Sequence, residues 1–359
     1  MRITNNMLIS NNLWNINNNM KRYDEASQRL STQRKIGLAS DDPQVATQAV
    51  KYRNYVSTID QYEKNVSAAS SWMSVTEGAL SDLQDVVQQV RDYVEQGANG
   101  SNTSSDLSNI KADVQQLKET AIQTLNTSYA GRYVFGGYST DTAPYAETTL
   151  TTGSSGSTTS VDKVTFKGKI VNLDGPVSTS TDSTDYTTIY NNNISNVYTS
   201  GSTKESMKYN SGFGTQITVN VEGQDVVGQG SDNLFNTLDK VLLGLGGDTS
   251  YQTVTTDSSG NATGTTTTSF TLSGLLGDLD ECLDRISIAT TGLGARESSA
   301  ELASDRLSND NTTYNKLMSN NEDVDSAEAT TEYSSAKTVY ETSLSAAAKA
   351  ITKSLLDYI

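Results

Sequence analysis

"VATQAVKYRNYVSTIDQYEKNVSAASSWMSVTEGALSDLQDVVQQVRDYV" occupies residues 45–94. Stepping through it alternately by three and four gives Val45, Gln48, Tyr52, Tyr55, Ile59, Tyr62, Val66, Ala69, Met73, Thr76, Leu80, Leu83, Val87, Val90 and Val94. Only Gln48 and Thr76 are clearly polar, and no proline interrupts the series. An apolar stripe sustained at that spacing marks a long helix paired with other helices. At about 1.5 Å per residue the helix would be on the order of 75 Å long, which predicts a rod.

The flanks carry start and stop signals. "ASDDPQ" offers two N-caps: Asp41 with Gln44 three residues on, or Asp42 with Pro43 at the first helical position. Either places acid at the positive end of the helix dipole. "EQGANGSNTSS" brings Gly97 and Gly100, which end the pattern. Leu107, Ile110, Val114, Leu117 and Ala121 then resume it, predicting a returning helix and an antiparallel hairpin.

Upstream, Ile9, Leu13, Ile16, Met20, Tyr23, Ser27 and Leu30 form a second stripe in an Asn-rich segment, and asparagine is a poor helix former. Downstream, residues 148–160 and the run "TTDSSGNATGTTTTS" read as exposed loop from their Ser/Thr/Gly content. "KVTFKGKIVNL", "YTTIYNNNISNVYT" and "GTQITVNVEGQ" read as short strands. "SDNLFNTLDKVLLGL" reads as a short helix capped by Ser231 or Asp232. Helical character returns near Leu275 with Leu276, Leu279, Leu283 and Ile286 in register, weakened at Gly292 and Gly294. A last stripe follows: Ala336, Tyr340, Leu344, Ala347, Ile351, Leu355 and Tyr358.

The fold class is therefore mainly α with a β-rich insertion. An elongated coiled-coil rod is made from the N- and C-terminal segments, with the β domain at its tip. The expected divisions are an N-terminal arm over 1–40, the N-terminal half of the rod over 41–140 and a variable β-rich insertion over 141–270. The C-terminal half of the rod then covers 271–320 and a C-terminal arm 321–359. Residues 210–247 are a candidate to pack back on the rod.

Composition excludes much chemistry. Histidine is absent and Cys282 is the only cysteine, so no Ser-His or Cys-His nucleophile, His-ligated zinc or internal disulfide can be built. Cys282 reads as a small buried hydrophobe, with a reactive thiol as the alternative. The formal net charge of -16 opposes nucleic acid and anionic membrane surfaces. No apolar run reaches the ~18 residues of a membrane span. The first twenty residues lack the apolar core of a secretory signal, so export by a conventional cleaved signal is not expected. No catalytic, cofactor or metal site is expected.

Each arm offers one modest stripe against the entropy of ordering it. The arms are expected to be marginal alone and to order when other helices cover the remaining faces. The predicted assembly interface is Ile9, Leu13, Ile16, Met20, Tyr23 and Leu30 with Ala336, Tyr340, Leu344, Ala347, Ile351, Leu355 and Tyr358.

Five stretches resemble the flagellin superfamily and, within it, the hook-filament junction branch. They are "MRITNNMLISNN", "RKIGLASDDPQVATQAV" with Ser40, Asp41, Asp42 and Pro43 in order, "GRYVFGGYSTDTAPY", "GTQITVNVEGQDVVGQGSDNLFNTLDKVL" and "NEDVDSAEATTEYSSAKTVYETSLSAAAKAITKSLLDYI". Within this resemblance "GRYVFGGY" and the terminal "LLDYI" favour the junction branch over filament flagellins. The resemblance implies a structural adaptor of the bacterial flagellum, exported through the flagellar type III apparatus without a cleaved signal. It implies a ring of identical subunits, with a preceding hook-associated protein on one side and flagellin on the other, and a cytoplasmic export chaperone. Filament flagellin is the alternative. A secreted adhesin or hydrolase with helical anchors is a more distant one, since a hydrolase without histidine needs a carboxylate pair and the acids here are scattered.

Overall fold

The computed structural model describes residues 5–100, 102–152, 159–198 and 204–351. The chain is mainly helical with a β-containing middle. It divides into two compact units: Met1–Tyr62 with Arg306–Ile359, and Glu63–Asp305.

Helix α1 covers Asn5–Thr32 and α2 Pro43–Ala98. Of the two caps offered, Asp42 is the one used: its Oδ1 accepts from the amides of Gln44 at 3.0 Å and Val45 at 3.1 Å. Asp41 instead accepts from the Leu38 amide. Within Glu63–Asp305 the stripe is buried throughout, at Val66, Ala69, Met73, Thr76, Leu80, Leu83, Val87, Val90 and Val94. Thr76 is tolerated there because its hydroxyl donates to the Trp72 carbonyl one turn back, at 2.8 Å. Gly97 does not stop α2; it lies in its last turn, where a Cβ would meet Leu245.

Helix α3, Ser104–Leu125, begins with a capping box between Thr103 and Asp106. Helix α7 runs Leu275–Glu322 unbroken through Gly292 and Gly294. Its buried register is Leu275, Leu279, Cys282, Ile286, Leu293, Ala300 and Leu307, so Leu276 and Leu283 flank the seam instead of lying in it. In the first unit α2 meets α7 through Asn311–Asp60 at 2.7 Å and the Tyr55–Tyr314 ring pair at 5.2 Å. In the second they meet through Arg91–Asp280 at 2.7 Å. Pairing of N- and C-terminal segments is thus observed in each unit.

The middle of the chain supplies β1 Ser128–Tyr129, β2 Arg132–Tyr133, β3 Tyr145–Thr152, β4 Thr159–Phe166 and β5 Lys169–Ile170. It continues with β6 Val177–Ser178, β7 Lys208–Gly212, β8 Thr215–Thr218, β9 Ser250–Thr256 and β10 Ala262–Ser269. The strands form β3-β4-β5 and β10-β9-β6 sheets and the β1-β2 and β7-β8 hairpins, all antiparallel. Helices α4 Ser183–Asn193, α5 Gly223–Val227 and α6 Leu234–Leu245 cross among them. Tyr145 packs against Phe166 and Phe235 at 5.0 and 5.8 Å, in a core shared with Phe135, Leu173 and Tyr186.

Several local expectations are corrected. "YTTIYNNNISNVYT" opens in a helix: Asp182 accepts from the amides of Thr184 and Asp185, and Tyr186 and Ile189 bury the inner face. The expected loop over 148–160 includes parts of β3 and β4, and 153–158 lie outside the described residues. "TTDSSGNATGTTTTS" is mostly the β9-β10 hairpin. Threonine is β-branched and suits a strand, and Asp257 builds the turn by accepting from the Ser259 and Asn261 amides. Strand β8 stops at Thr218, because Asn220 is buried and bonds the Met207 amide and Glu205 carbonyl. The cap of α6 is Asn233, not Ser231 or Asp232.

Candidate assembly surface

Helix α8 covers Ser326–Ile351 and packs antiparallel on α1 in the first unit. Contacts climb one helix as they descend the other. Arg29 faces Glu332 at 3.5 Å, Tyr23 meets Tyr333 and Tyr340, and the Asn19 amide donates to the Ser343 hydroxyl. The Tyr23 ring stacks on Tyr340 at 5.8 Å, and its hydroxyl lies 3.2 Å from that of Tyr333. That hydrogen bond, with the Tyr333 charge it would oppose, holds the Tyr23 hydroxyl above its ordinary pKa. Ala26, Ala329 and Ala347 are buried along the seam, where small side chains let two helices approach closely.

A clasp closes the base of this pair. The Lys35 amide donates to the Glu322 carbonyl at 2.7 Å, and the Val324 amide to the Gln33 carbonyl at 3.0 Å. Arg34 and Asp323 form an antiparallel bridge. The Glu322 carboxylate is buried and paired with Arg53 from α2. Sequence patterning missed this clasp because it is made of backbone bonds and one ion pair, which have no period. Arg34 and Lys35, opposed in sequence by Glu322 and Asp323, were the available signal.

The predicted interface divides. Ile9, Ile16, Tyr23, Leu30, Ala336 and Tyr340 are half-buried, and Ala347 is buried. Leu13, Met20 and Leu344 remain exposed, at 52, 54 and 42%. Leu355, Tyr358 and the side chain of Ile351 lie outside the described residues. Trp14, which the stripe omitted, is 67% exposed with Met7 one heptad before it. On the opposite side of the pair a groove of about 750 Å³ runs between α1 and α8, with Ala26, Ala327, Thr331, Ser335 and Val339 among its walls.

The block "GRYVFGGY" has a structural reason for its residues. Ala130 and Gly131 take φ of 51° and 78° at the β1-β2 turn, as a tight hairpin requires. Val134 and Phe135 are buried, and a Cβ at Gly136 would strike the Ser139 carbonyl.

Elsewhere the titratable groups that stand out are buried or paired. Cys282 is buried and burial pushes its thiol pKa up. Lys118 pairs with Asp239 at 2.9 Å. Lys163 is fully buried, and burial pulls its pKa down to about 8. Among the described residues no group of His, Cys, Asp or Glu could hold a metal ion, and no helix is long and apolar enough to cross a membrane.

Residues 3–140 match the bacterial flagellin N-terminal helical region, and residues 276–359 its C-terminal helical region. The chain is 25% identical over 148 residues to flagellar hook-associated protein 3 of Escherichia coli, covering 41% of this chain and 47% of that protein. It is 25% identical over 150 residues to the Salmonella typhimurium hook-associated protein 3, covering 42 and 47%. The match thus spans about half the length of these relatives. A solved structure assigned as a flagellar hook-associated protein of Vibrio parahaemolyticus shares the fold. Its TM-score is 0.55 at 17% identity, over 79% of this chain and 100% of that one.

Proposed function

Because this chain belongs to the bacterial flagellin family, whose two helical regions together match well over half of it, we propose that it is a structural adaptor joining the flagellar hook to the filament. The observation that carries this reading is the α1-α8 pair. It is tied at the seam by Tyr23, Ala26, Ala329 and Ala347, yet it leaves Leu13, Trp14, Met20 and Leu344 in solvent. Large apolar side chains left uncovered beside a formed helix pair suit contact with further helices. The similarity to hook-associated protein 3 from two bacteria supports the junction role over that of a filament subunit.

In this reading residues 1–40 and 321–359 are assembly arms, and the predicted interface residues pack between subunits of a ring. A preceding hook-associated protein lies on one side and flagellin on the other. The chain travels through the flagellar type III apparatus without a cleaved signal and is held beforehand by a cytoplasmic chaperone. It performs no catalysis and needs no metal. Its net charge of -16 does not suit nucleic acid.

Electron microscopy of a strain lacking the gene tests the role. Hooks without filaments, with flagellin released into the medium, are expected. Filaments of normal length in that strain refute the junction role. Long filaments assembled by the purified chain alone favour the flagellin reading, which a 29% identity to a Clostridium tyrobutyricum flagellin over 91 residues keeps in play.

A further inference from the structure

We propose that Asn99-Gly100, in the turn between α2 and α3, is a site of spontaneous backbone chemistry. Its asparagine converts to aspartate and isoaspartate in the folded chain, while the fold protects every other pair of that kind. The inference is independent of the assembly role.

Asparagine or aspartate followed by glycine or serine is the pattern on which this chemistry runs fastest. A small next residue lets its backbone nitrogen approach the side-chain carbonyl carbon, and glycine allows it best. Six such pairs occur: Asn99-Gly100, Asp174-Gly175, Asp182-Ser183, Asn210-Ser211, Asp257-Ser258 and Asp325-Ser326. In the reaction the Gly100 nitrogen gives its proton to water and bonds to Cγ of Asn99. The Cγ–Nδ2 bond breaks and ammonia leaves, closing a five-membered imide. Water then opens the imide at either carbonyl. One water is taken up and one ammonia lost, with no oxidant or cofactor.

The fold separates the six pairs. Asp182 Oδ1 accepts from the amides of Thr184 and Asp185, Asp257 Oδ1 from those of Ser259 and Asn261, and Asp325 Oδ1 from that of Ala327. Each carboxylate is pinned to amides further along its own chain. In β7, Asn210 Oδ1 accepts from the Gln216 side chain at 3.0 Å, and Ser211 is buried. At Asp174-Gly175 the glycine nitrogen donates to the Asn172 carbonyl at 3.0 Å, and a Cβ on that glycine would strike Asn236. The nitrogen is occupied and the backbone has no room to turn.

Asn99 differs on each count. It follows the last residue of α2, and both it and Gly100 are exposed. Its carboxamide and the Gly100 nitrogen make no hydrogen bond among the described residues. The turn is held through the Asn99 main chain, which donates to the Gln96 carbonyl at 3.3 Å and accepts from the Asn102 amide at 3.4 Å. A Cβ on Gly100 would meet nothing within 4 Å, so the nitrogen is free to swing onto the carboxamide. The product places a carboxylate at the C-terminus of α2, where the helix dipole is already negative, and four residues from Glu95. The last turn of α2 is weakened by it.

Ageing the full-length chain in heavy-oxygen water, followed by peptide mapping, tests this. Each imide that opens takes up one heavy oxygen, so all six pairs are read together. In the folded chain the Asn99 peptide should label at least about tenfold faster than the other five. In urea the Asp174 and Asn210 peptides should speed up severalfold, while Asn99 stays within about twofold of its folded rate. Gly100→Ala, which the open site accommodates, should slow labelling at Asn99 about tenfold. Asn99→Asp should speed amide exchange in the last turn of α2. Labelling at any of the other five that matches Asn99 in the folded chain overturns the proposal. So does an Asn99 rate that rises tenfold in urea, since the fold would then be protecting it. An unchanged rate in Gly100→Ala overturns the mechanism, and unchanged exchange in Asn99→Asp overturns the weakening of α2.

Discussion

Replacing Lys163 with methionine should stabilise the unit Glu63–Asp305 at neutral pH. Lys163 is 1% exposed, and its Nζ donates to the Gly175 carbonyl at 3.2 Å. Asp239 and Asp174 favour its charge and Lys118 opposes it, but burial dominates and brings the pKa from 10.5 to about 8. That drop corresponds to about 3 kcal/mol of penalty on the charged form. Methionine fills nearly the same volume without charge. It orphans little: the Gly175 carbonyl keeps the Tyr186 hydroxyl at 2.6 Å, and Asp239 keeps Lys118 at 2.9 Å and Asn172 at 3.1 Å. A gain of about 1–3 kcal/mol is expected at pH 7. The folded pKa lies below the unfolded one. Between pH 8 and 10.5 the unfolded chain therefore holds the extra proton, and wild-type stability rises with pH through that window. Most of the advantage of the variant should be gone by pH 10. Urea unfolding can be followed by fluorescence of buried Trp72 in a Trp14→Phe background, at pH 7 and pH 10. Taking the difference between variant and wild type cancels groups common to both. A variant less stable than wild type at pH 7, or an equal difference at the two pH values, would refute the reasoning.

Three further outcomes are expected. Tyr23→Ala should weaken the α1-α8 pair by about 1–3 kcal/mol and speed amide exchange in α1, whereas Tyr23→Phe, which keeps the stacking, should cost under about 1 kcal/mol. Gly78→Ala, at an open site within α2, should raise thermal stability by up to ~1 kcal/mol, whereas Gly136→Ala should lower it through collision with the Ser139 carbonyl. Arg53→Ala should strand the buried Glu322 carboxylate and cost about 3 kcal/mol, read as faster exchange of the Lys35 and Val324 amides.

The helices were legible because their signal is local and periodic. The 45–94 stripe needed only spacing, and even its polar member Thr76 satisfies itself within one turn. What failed was composition used in place of geometry. Thr-rich runs looked structureless, yet Thr253, Thr255 and Thr265 to Thr268 form a ladder whose turn is set by one aspartate. In the opposite direction, Tyr186 to Tyr190 looked like a strand by residue type. A single N-cap at Asp182 outweighed that preference.

The arms show a different limit, which bears on how they work. Stepping by three and four gathered Ile16 and Tyr23 with Leu13 and Met20 into one stripe, because these positions span only about 80° of helix. One partner helix covers a narrower seam than that. The structure places α8 over Ile16, Tyr23 and Ala26 and leaves Leu13 and Met20 outside it. The seam itself is marked by alanines, at 26, 329 and 347, which a search for large apolar residues passes over. The breadth of an apolar stripe thus carries information that its period does not. A stripe broader than one neighbour can bury calls for a second. For α1 and α8 part of the surplus, Leu13, Met20 and Leu344, lies on one flank, while Met7 and Trp14 face away from the seam and Val339 borders the groove. Covering all of that surplus takes neighbours on more than one face of the pair.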